Sequence, residues 1–236
     1  MIVLGFIPDF LQGLGITAAA SVLAFLGALI LGTLGALGRL SGSRAVRVLT
    51  RIYVEAFRNT PVLVQMFMIY FGLPALGIYL PGFAAGTITL ALNAGAYLTE
   101  TIRTGIRAVP PGQLEAARTL SLSQPQIFFR IVAPQAFRTM YPPIINEFVL
   151  IILTSSLIST IAVNDLTGVA MIVSSLTFAS MESFAMAMVF YLILTNAVAV
   201  LAQGFSRVAF KAPLPSDLSQ NKLTRRSLLK AMRRAV

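Results

Sequence analysis

At 236 residues, 57% of them hydrophobic and 11% charged, with a mean hydropathy of +0.84, the chain is too apolar for a water-soluble domain and reads as a membrane protein. It contains no cysteine, histidine or tryptophan, which excludes disulfides, thiol chemistry, cysteine or histidine zinc sites and histidine acid–base catalysis. The net charge of +10 is gathered in particular loops, so it reports membrane topology rather than nucleic-acid binding.

The opening MIVLGFIPDFLQGLG has neither the basic region nor the cleavage site of a secretory signal, so the first apolar segment is expected to stay in place. A helix takes roughly 20 apolar residues to cross a bilayer. Five segments satisfy that: Leu14 to Leu40, Ile52 to Leu73, Phe83 to Arg103, Met140 to Ile161 and Phe184 to Phe205. The fold class is therefore all-α, a polytopic membrane bundle of about five transmembrane helices. The first span carries Ala28, Gly32 and Ala36 at four-residue spacing, a stripe that lets another helix approach closely. The stretch from Asn164 to Ser180 is too short and mixed to span and is expected as a re-entrant or surface helix.

The charges separate completely between the two aqueous faces. One face holds Arg39, Arg44, Arg47 and Arg51, then Arg103 through Arg138, then the tail from Arg207 to Arg234. The other holds the N-terminus, the Pro74 to Gly82 loop and the Ala162 to Ser183 segment, which have no lysine or arginine and only Asp9, Asp165 and Glu182. The positive-inside rule puts the N-terminus outside and the C-terminus in the cytoplasm. The chain divides into a membrane domain over 1–211 and a basic cytoplasmic tail over 212–236. In the tail, Leu223, Leu228 and Leu229 among cationic residues suit a helix lying on anionic lipid, or equally a disordered tail that enforces topology.

A polar insertion runs from Arg107 to Arg138, on the basic face. Pro110, Pro111 and Gly112 end the third span, and GQLEAARTL predicts a short helix with Glu115 near its start, where a carboxylate suits the helix dipole. Ala116 and Ala117 leave one face with little bulk. Gln124 and Pro125 open a second short helix with Ile127, Phe128 and Ile131 as its apolar face, and Pro134 is expected to end it. The spacing makes a helix–turn–helix knob over about 110–134, suited to a cleft in a soluble partner. An amphipathic connector packed under its own bundle is the other reading.

Polar side chains inside a membrane are functional candidates. Gln65, Asn93 and Thr154 fall near the midplane of their spans, and Glu147 falls somewhat nearer the cytoplasm. Glu147 is suited to a substrate ammonium group, with Asn93, Gln65, Thr154 and Ser155 orienting the rest; interhelical hydrogen bonding, or a structural carboxylate held by Asn146 or Arg138, is the alternative. Glu55 with Arg58 and Glu100 with Arg103, each three apart, are expected as ion pairs at the cytoplasmic end. No arginine is expected near the midplane. No GxxxxGK[ST] phosphate loop occurs, so energy from ATP would need a separate subunit.

Three linked motifs bear a resemblance. EAFRNTPVLVQMFMIYFGLP from Glu55, LNAGAYLTETIRTGIRAVPPGQ from Leu92, and the loop with Glu115, Ala116, Ala117, Ser121, Ile131 and Pro134 together resemble the permease subunits of polar amino acid ABC importers, from about Gly13 to Lys211. The resemblance implies that Gly112, Glu115, Ala116, Ala117, Ser121, Ile131 and Pro134 form the EAA loop that engages ATPase subunits. It implies a second permease subunit, identical or homologous, an extracytoplasmic substrate-binding protein and an amino acid substrate. It also implies a bacterial inner-membrane location and alternating access, with no cofactor on this chain and ATP and magnesium on the partner ATPase. The family loop usually has glycine where this chain has Ser121 and leucine where it has Ala133. The acidic residue that often precedes the Ser155–Ser156–Leu157 triplet in relatives with cationic substrates is absent, which favours a neutral polar amino acid or a broad range. An ion-coupled carrier or channel for small polar solutes is the alternative function, and a membrane enzyme lacks the residues it would need.

Overall fold

The computed structural model describes residues 2–210; the basic tail expected over 212–236 lies outside them. A 3₁₀ turn at Ile2–Phe6 leads into α1 (Ile7–Leu40), which starts earlier than expected because Pro8 fits a first helical turn. There follow α2 (Arg44–Arg58), α3 (Val62–Phe67) prolonged by a π turn and a 3₁₀ turn to Leu76, and α4 (Gly82–Arg107). The polar insertion forms α5 (Pro111–Thr119) and α6 (Gln124–Ile127). A π turn at Phe128–Val132 joins α6 to α7 (Ala133–Thr154), which passes into a 3₁₀ segment, Ser155–Ile161. Helix α8 (Leu166–Thr177) and the long α9 (Ser180–Ala209) complete the all-helical bundle.

Among the described residues, three helical stretches are long and apolar enough to cross a membrane: Val3–Leu40, Gln124–Ile161 and Ser180–Ala209. The bent pair Arg44–Arg58 and Val62–Leu76 makes a fourth if taken as one span. Helix α4, at 26 residues, is long enough for a fifth. Its polarity has a home, because α4 lies inside the bundle with Thr89, Thr99 and ten further residues buried. Helix α9 is the opposite case: Met188, Leu192, Ile193, Val200 and Leu201 are all exposed on it, as in a helix bathed by hydrocarbon.

The expected small-residue stripe is the seam of the molecule. Ala28, Gly32 and Ala36 are buried along α1 against α4. A side-chain carbon added at Gly32 would come within 2.6 Å of the Leu98 Cβ. Gly35 rests directly on Thr99 and Gly38 on Thr50, so two backbones approach where any larger residue would hold them apart. The core then spreads through Met66, Ile144, Ile151 and Ile158. Replacing Gly32 by leucine is expected to cost about 1–3 kcal/mol through overpacking, read as a lowered unfolding temperature in detergent. Gly15, which has open space around it, should tolerate alanine with no such fall.

Helix α8 packs through Leu166, Val169, Ala170 and Val173 on Phe10 of α1 and Ala187 of α9. Fully buried Asp165 starts it, accepting the Gly168 N–H at 2.8 Å and the Tyr191 hydroxyl at 3.3 Å. Burial pushes the Asp165 carboxyl up to about 6 from 3.8, against the pull of the Gly168 and Thr167 N–H groups and Tyr191. A raised folded value means folding takes up a proton between those two values. Stability from this group is therefore present below about 4 and lost as pH rises through about 6. Asp165→Asn keeps the cap and removes the titration, so the wild type is expected to lose stability relative to the variant across that window in pH-scanned thermal unfolding.

Candidate functional site

The second expected span, Ile52 to Leu73, is not one helix. Its two halves meet at 106°, and the cause is local. Pro61 has no N–H, so the Phe57 carbonyl loses its donor four residues on. In a membrane that carbonyl must be satisfied from within the protein. Gln65 Nε2 donates to it at 2.8 Å and Asn93 Nδ2 at 3.0 Å. Gln65 Nε2 also reaches the Thr60 carbonyl and hydroxyl, and Asn93 Nδ2 donates to Gln65 Oε1 at 3.0 Å. Two of the sequence-predicted site residues are thereby brought together, tying the break to the middle of α4.

The break relocates charge. Expected as a cytoplasmic pair, Glu55 and Arg58 are separated: Glu55 accepts instead from Arg51 at 2.6 Å. The Arg58 guanidinium lies 5.0 Å from the ring centre of Tyr97, which is one turn from Asn93 on α4. An arginine is therefore present at the depth of the predicted polar residues, contrary to expectation, because α2 climbs from Arg44 before it breaks. Glu100 does pair with Arg103, at 2.8 Å, and also with Arg39 of α1 at 3.2 Å. Arg58, Tyr97, Glu100, Thr101, Thr104 and Thr139 border a cavity of about 330 Å³ that reaches Pro143 of α7.

Glu147 is half-buried on α7, one turn beyond Pro143. Thr154 stands two turns, about 10 Å, further along. Ser155 is fully buried and its hydroxyl donates to the Ile152 carbonyl at 2.7 Å, which sets it apart from the other four. Sequence reasoning missed the placement of Arg58 and Tyr97 at the cavity. The Asn59–Thr60–Pro61 run carried the signal, since proline removes a helical donor and turns its predecessor away from helix.

The polar insertion packs around Val109, Ala117, Ile127 and Val132, with Ile106, Leu114, Leu122 and Ile131 beside them. Phe128, expected on the apolar face, is exposed, and Val132 takes that place because the π turn shifts the register. Pro134 does not end the helix. It falls in the first turn of α7, where the π turn has already altered the ladder, and Gln124–Ile161 runs on as one span of 38 residues. Gln135 donates to Gln113 at 2.7 Å and to the Ile131 carbonyl at 2.9 Å, fastening α5 to this helix. Gly112, Glu115, Ala116 and Pro134 are exposed, and so are Leu120 and Phe129, at 74% and 71%.

A bundle of membrane-crossing helices, with a cavity bordered by charged and hydroxyl side chains and a packed knob at one end, is the architecture of a membrane transport component. Residues 24–207 match the family described as the binding-protein-dependent transport system inner membrane component, and the chain belongs to that family. It is an integral-membrane, multi-pass permease subunit of an ABC importer, a transport rather than a catalytic subunit, and membership implies ATPase and binding-protein partners. The probable glutamine ABC transporter permease of Bacillus subtilis (strain 168) is 38% identical over 186 residues, 79% of this chain and 86% of that protein. The L-cystine transport system permease of the same strain is 40% identical over 161 residues, 68% and 69% of the two chains. The crystal structure of an amino acid ABC transporter with histidines has a TM-score of 0.82 at 35% identity, covering 87% of this chain and 96% of that one.

Ser121 sits at φ 55, in the left-handed region. For an L-residue with a side chain this costs about 1–2 kcal/mol. Ser121→Gly removes that penalty, so the variant is expected to be about 1 kcal/mol more stable, with slower hydrogen exchange in α5 as the local measurement.

Proposed function

We propose that this chain is one of two permease subunits, identical or homologous, that line the path of an ATP-driven importer for polar amino acids. An extracytoplasmic binding protein delivers the substrate, and ATP and magnesium act on the partner ATPase. The N-terminus lies outside and the C-terminus in the cytoplasm; the gathering of arginines at the α1–α2 turn and along the coupling segment supports this orientation. The amino acid class follows the relatives named for glutamine and cystine and the related amino acid transporter structure.

The observation that carries the proposal is the coupling segment, a knob packed on its own apolar cluster with Glu115, Ala116 and Leu120 turned outward. Such a knob fits a cleft in an ATPase subunit and moves with it. Within the path, Glu147 receives the substrate ammonium group, with Asn93, Gln65 and Thr154 shaping the wall and Ser155 buried behind it. The hydrogen bonds joining Asn93 and Gln65 support a polar wall at one depth.

Coexpression with the flanking genes, followed by purification through a tag on this chain, is expected to recover an ATPase. Leu120→Asp is expected to weaken that association by at least about tenfold while leaving the chain folded, because the side chain contributes nothing to the core. Uptake in proteoliposomes should then require ATP. A chain purified without an ATPase that transports on an ion gradient alone would replace the proposal with an ion-coupled carrier.

A further inference from the structure

A groove between α1 and α8 lies at the end of the bundle opposite the polar insertion, away from the cavity bordered by Arg58. It has a volume of about 240 Å³ and is bordered by Asp9, Gln12 and Ile16 of α1, by Asn164, and by Ile172 and Leu176 of α8. Buried Val169 and Val173 also line it. Asp9, Gln12 and Asn164 are exposed, and among the described residues none of these three side chains has a hydrogen-bond or ion-pair partner. One carboxylate and two amides are thus open to a ligand.

The helix sets their depth. From Asp9 to Arg39, α1 rises about 45 Å, the thickness of a bilayer with its headgroups, so Asp9 stands in one headgroup layer and Arg39 in the other. Ile16 is two turns, about 10 Å, deeper than Asp9, where headgroups give way to hydrocarbon. Leu23, Ile30 and Leu37 follow Ile16 at seven-residue steps on the same face, and all three are exposed. Polar groups above and an apolar strip below, in line along one helix, are the order of an amphiphile standing in the leaflet. Charge then selects the headgroup. The first basic residue of the chain is Arg39, and none occurs between Arg138 and Arg207. No cation on α1 above Arg39, or on α8, is there to draw an anionic lipid.

We propose that this groove holds the headgroup of a phospholipid with a primary ammonium group, of the ethanolamine type, in the leaflet at the N-terminal end of α1. The ammonium group donates to the Asp9 carboxylate, and the side-chain amides of Gln12 and Asn164 donate to the phosphate oxygens. Val169 and Val173 meet the methylene groups between them, and an acyl chain runs down the strip of Ile16, Leu23 and Ile30. The volume of the groove is below the roughly 300–1,000 Å³ of sites that enclose a whole drug-sized ligand, which suits a headgroup whose tails stay outside. Of the fold, this requires only that α1 crosses the membrane, so it stands apart from the identity of the transported solute.

The test uses the full chain, purified in detergent with the subunits that accompany it and freed of native lipid. Dioleoyl phosphatidylethanolamine, its mono- and dimethylated forms, phosphatidylcholine and phosphatidylglycerol are titrated in, and bound lipid is read by native mass spectrometry. The wild type is expected to bind the ethanolamine lipid about three- to tenfold more tightly than the choline lipid, whose nitrogen has no N–H, with the methylated forms between. Asp9→Asn is expected to bring the ethanolamine lipid down to the level of the choline lipid and to leave the latter unchanged. Glu182→Gln, at the same end of the bundle but outside the groove, should keep the preference. Gln12→Arg, which adds a cation at an exposed position of the groove, should turn the preference toward phosphatidylglycerol. A wild type indifferent to methylation, or an Asp9→Asn chain that keeps the preference, overturns the proposal. Should Asp9→Asn fail to assemble, the Gln12→Arg chain decides, and an unchanged lipid order in it overturns the proposal. Leu23→Cys, in a chain with no cysteine of its own, checks the other occupant of the strip. A short thiol cross-linker is expected to give no dimer of this chain in membranes, and a cross-linked dimer would assign the strip to a second copy and overturn the proposal.

Discussion

One backbone carbonyl organises the interior. With proline at position 61, Phe57 has no helical donor, and an unsatisfied carbonyl in hydrocarbon costs several kcal/mol. Two side-chain amides, from Gln65 beyond the break and Asn93 on the neighbouring helix, converge on that oxygen. The break is thereby locked at one height against α4 rather than left as a hinge. Everything placed by the turn follows: Arg58 is held at its rim against Tyr97, and α3 leaves at 106°. Asn93 and Gln65 thus have a structural task whatever else they touch.

The lock works only because α4 is itself fixed. Glycine and alanine on α1 let its backbone come close enough that a carbon at Gly32 would collide with Leu98. Close packing of this kind replaces the hydrophobic drive that lipid does not provide between helices. The polar residues of α4 are consistent with its place. A helix with Glu100 and Arg103 on it is poorly suited to lipid, yet enclosed by α1 and α7 it brings its own neutralisation through Arg39 and Arg103. The two helices are placed accordingly: α9, with its exposed Met188, Leu192 and Leu201, lies at the periphery, and α4, with Glu100 and Arg103, in the middle.

This sorting explains what the sequence made legible. Hydropathy and arginine placement gave the all-helical class and the apolar stretches, since lipid imposes both directly. The small-residue stripe announced the α1 seam, and the Pro110–Pro111–Gly112 and Gln124–Pro125 runs announced the two short helices of the polar insertion. What failed to read through were departures from the regular helix. Proline was taken as a stop at position 134, where a π turn absorbs it, and was passed over at position 61, where it turns the chain sharply. In both cases the outcome is set by donors several residues or a whole helix away, which a window of local sequence does not contain. The pairing of Arg51 with Glu55 in place of Arg58 is of the same kind. Spacing of three and of four are both allowed on a helix, and the break decides between them by carrying Arg58 elsewhere.

The helix that runs unbroken past Pro134 joins the polar insertion to the bundle. From Ile127, packed in the coupling cluster, to Glu147 is 20 residues of continuous helix, about 30 Å. Had Pro134 ended the helix, a push on the knob would be absorbed in a joint before reaching the interior. As built, α5 is fastened to this helix by Gln113 and Gln135 and by the apolar cluster around Ala117. The same helix carries Pro143, which borders the cavity with Arg58, and Glu147 one turn on. The knob and the cavity border are thus two ends of one helix.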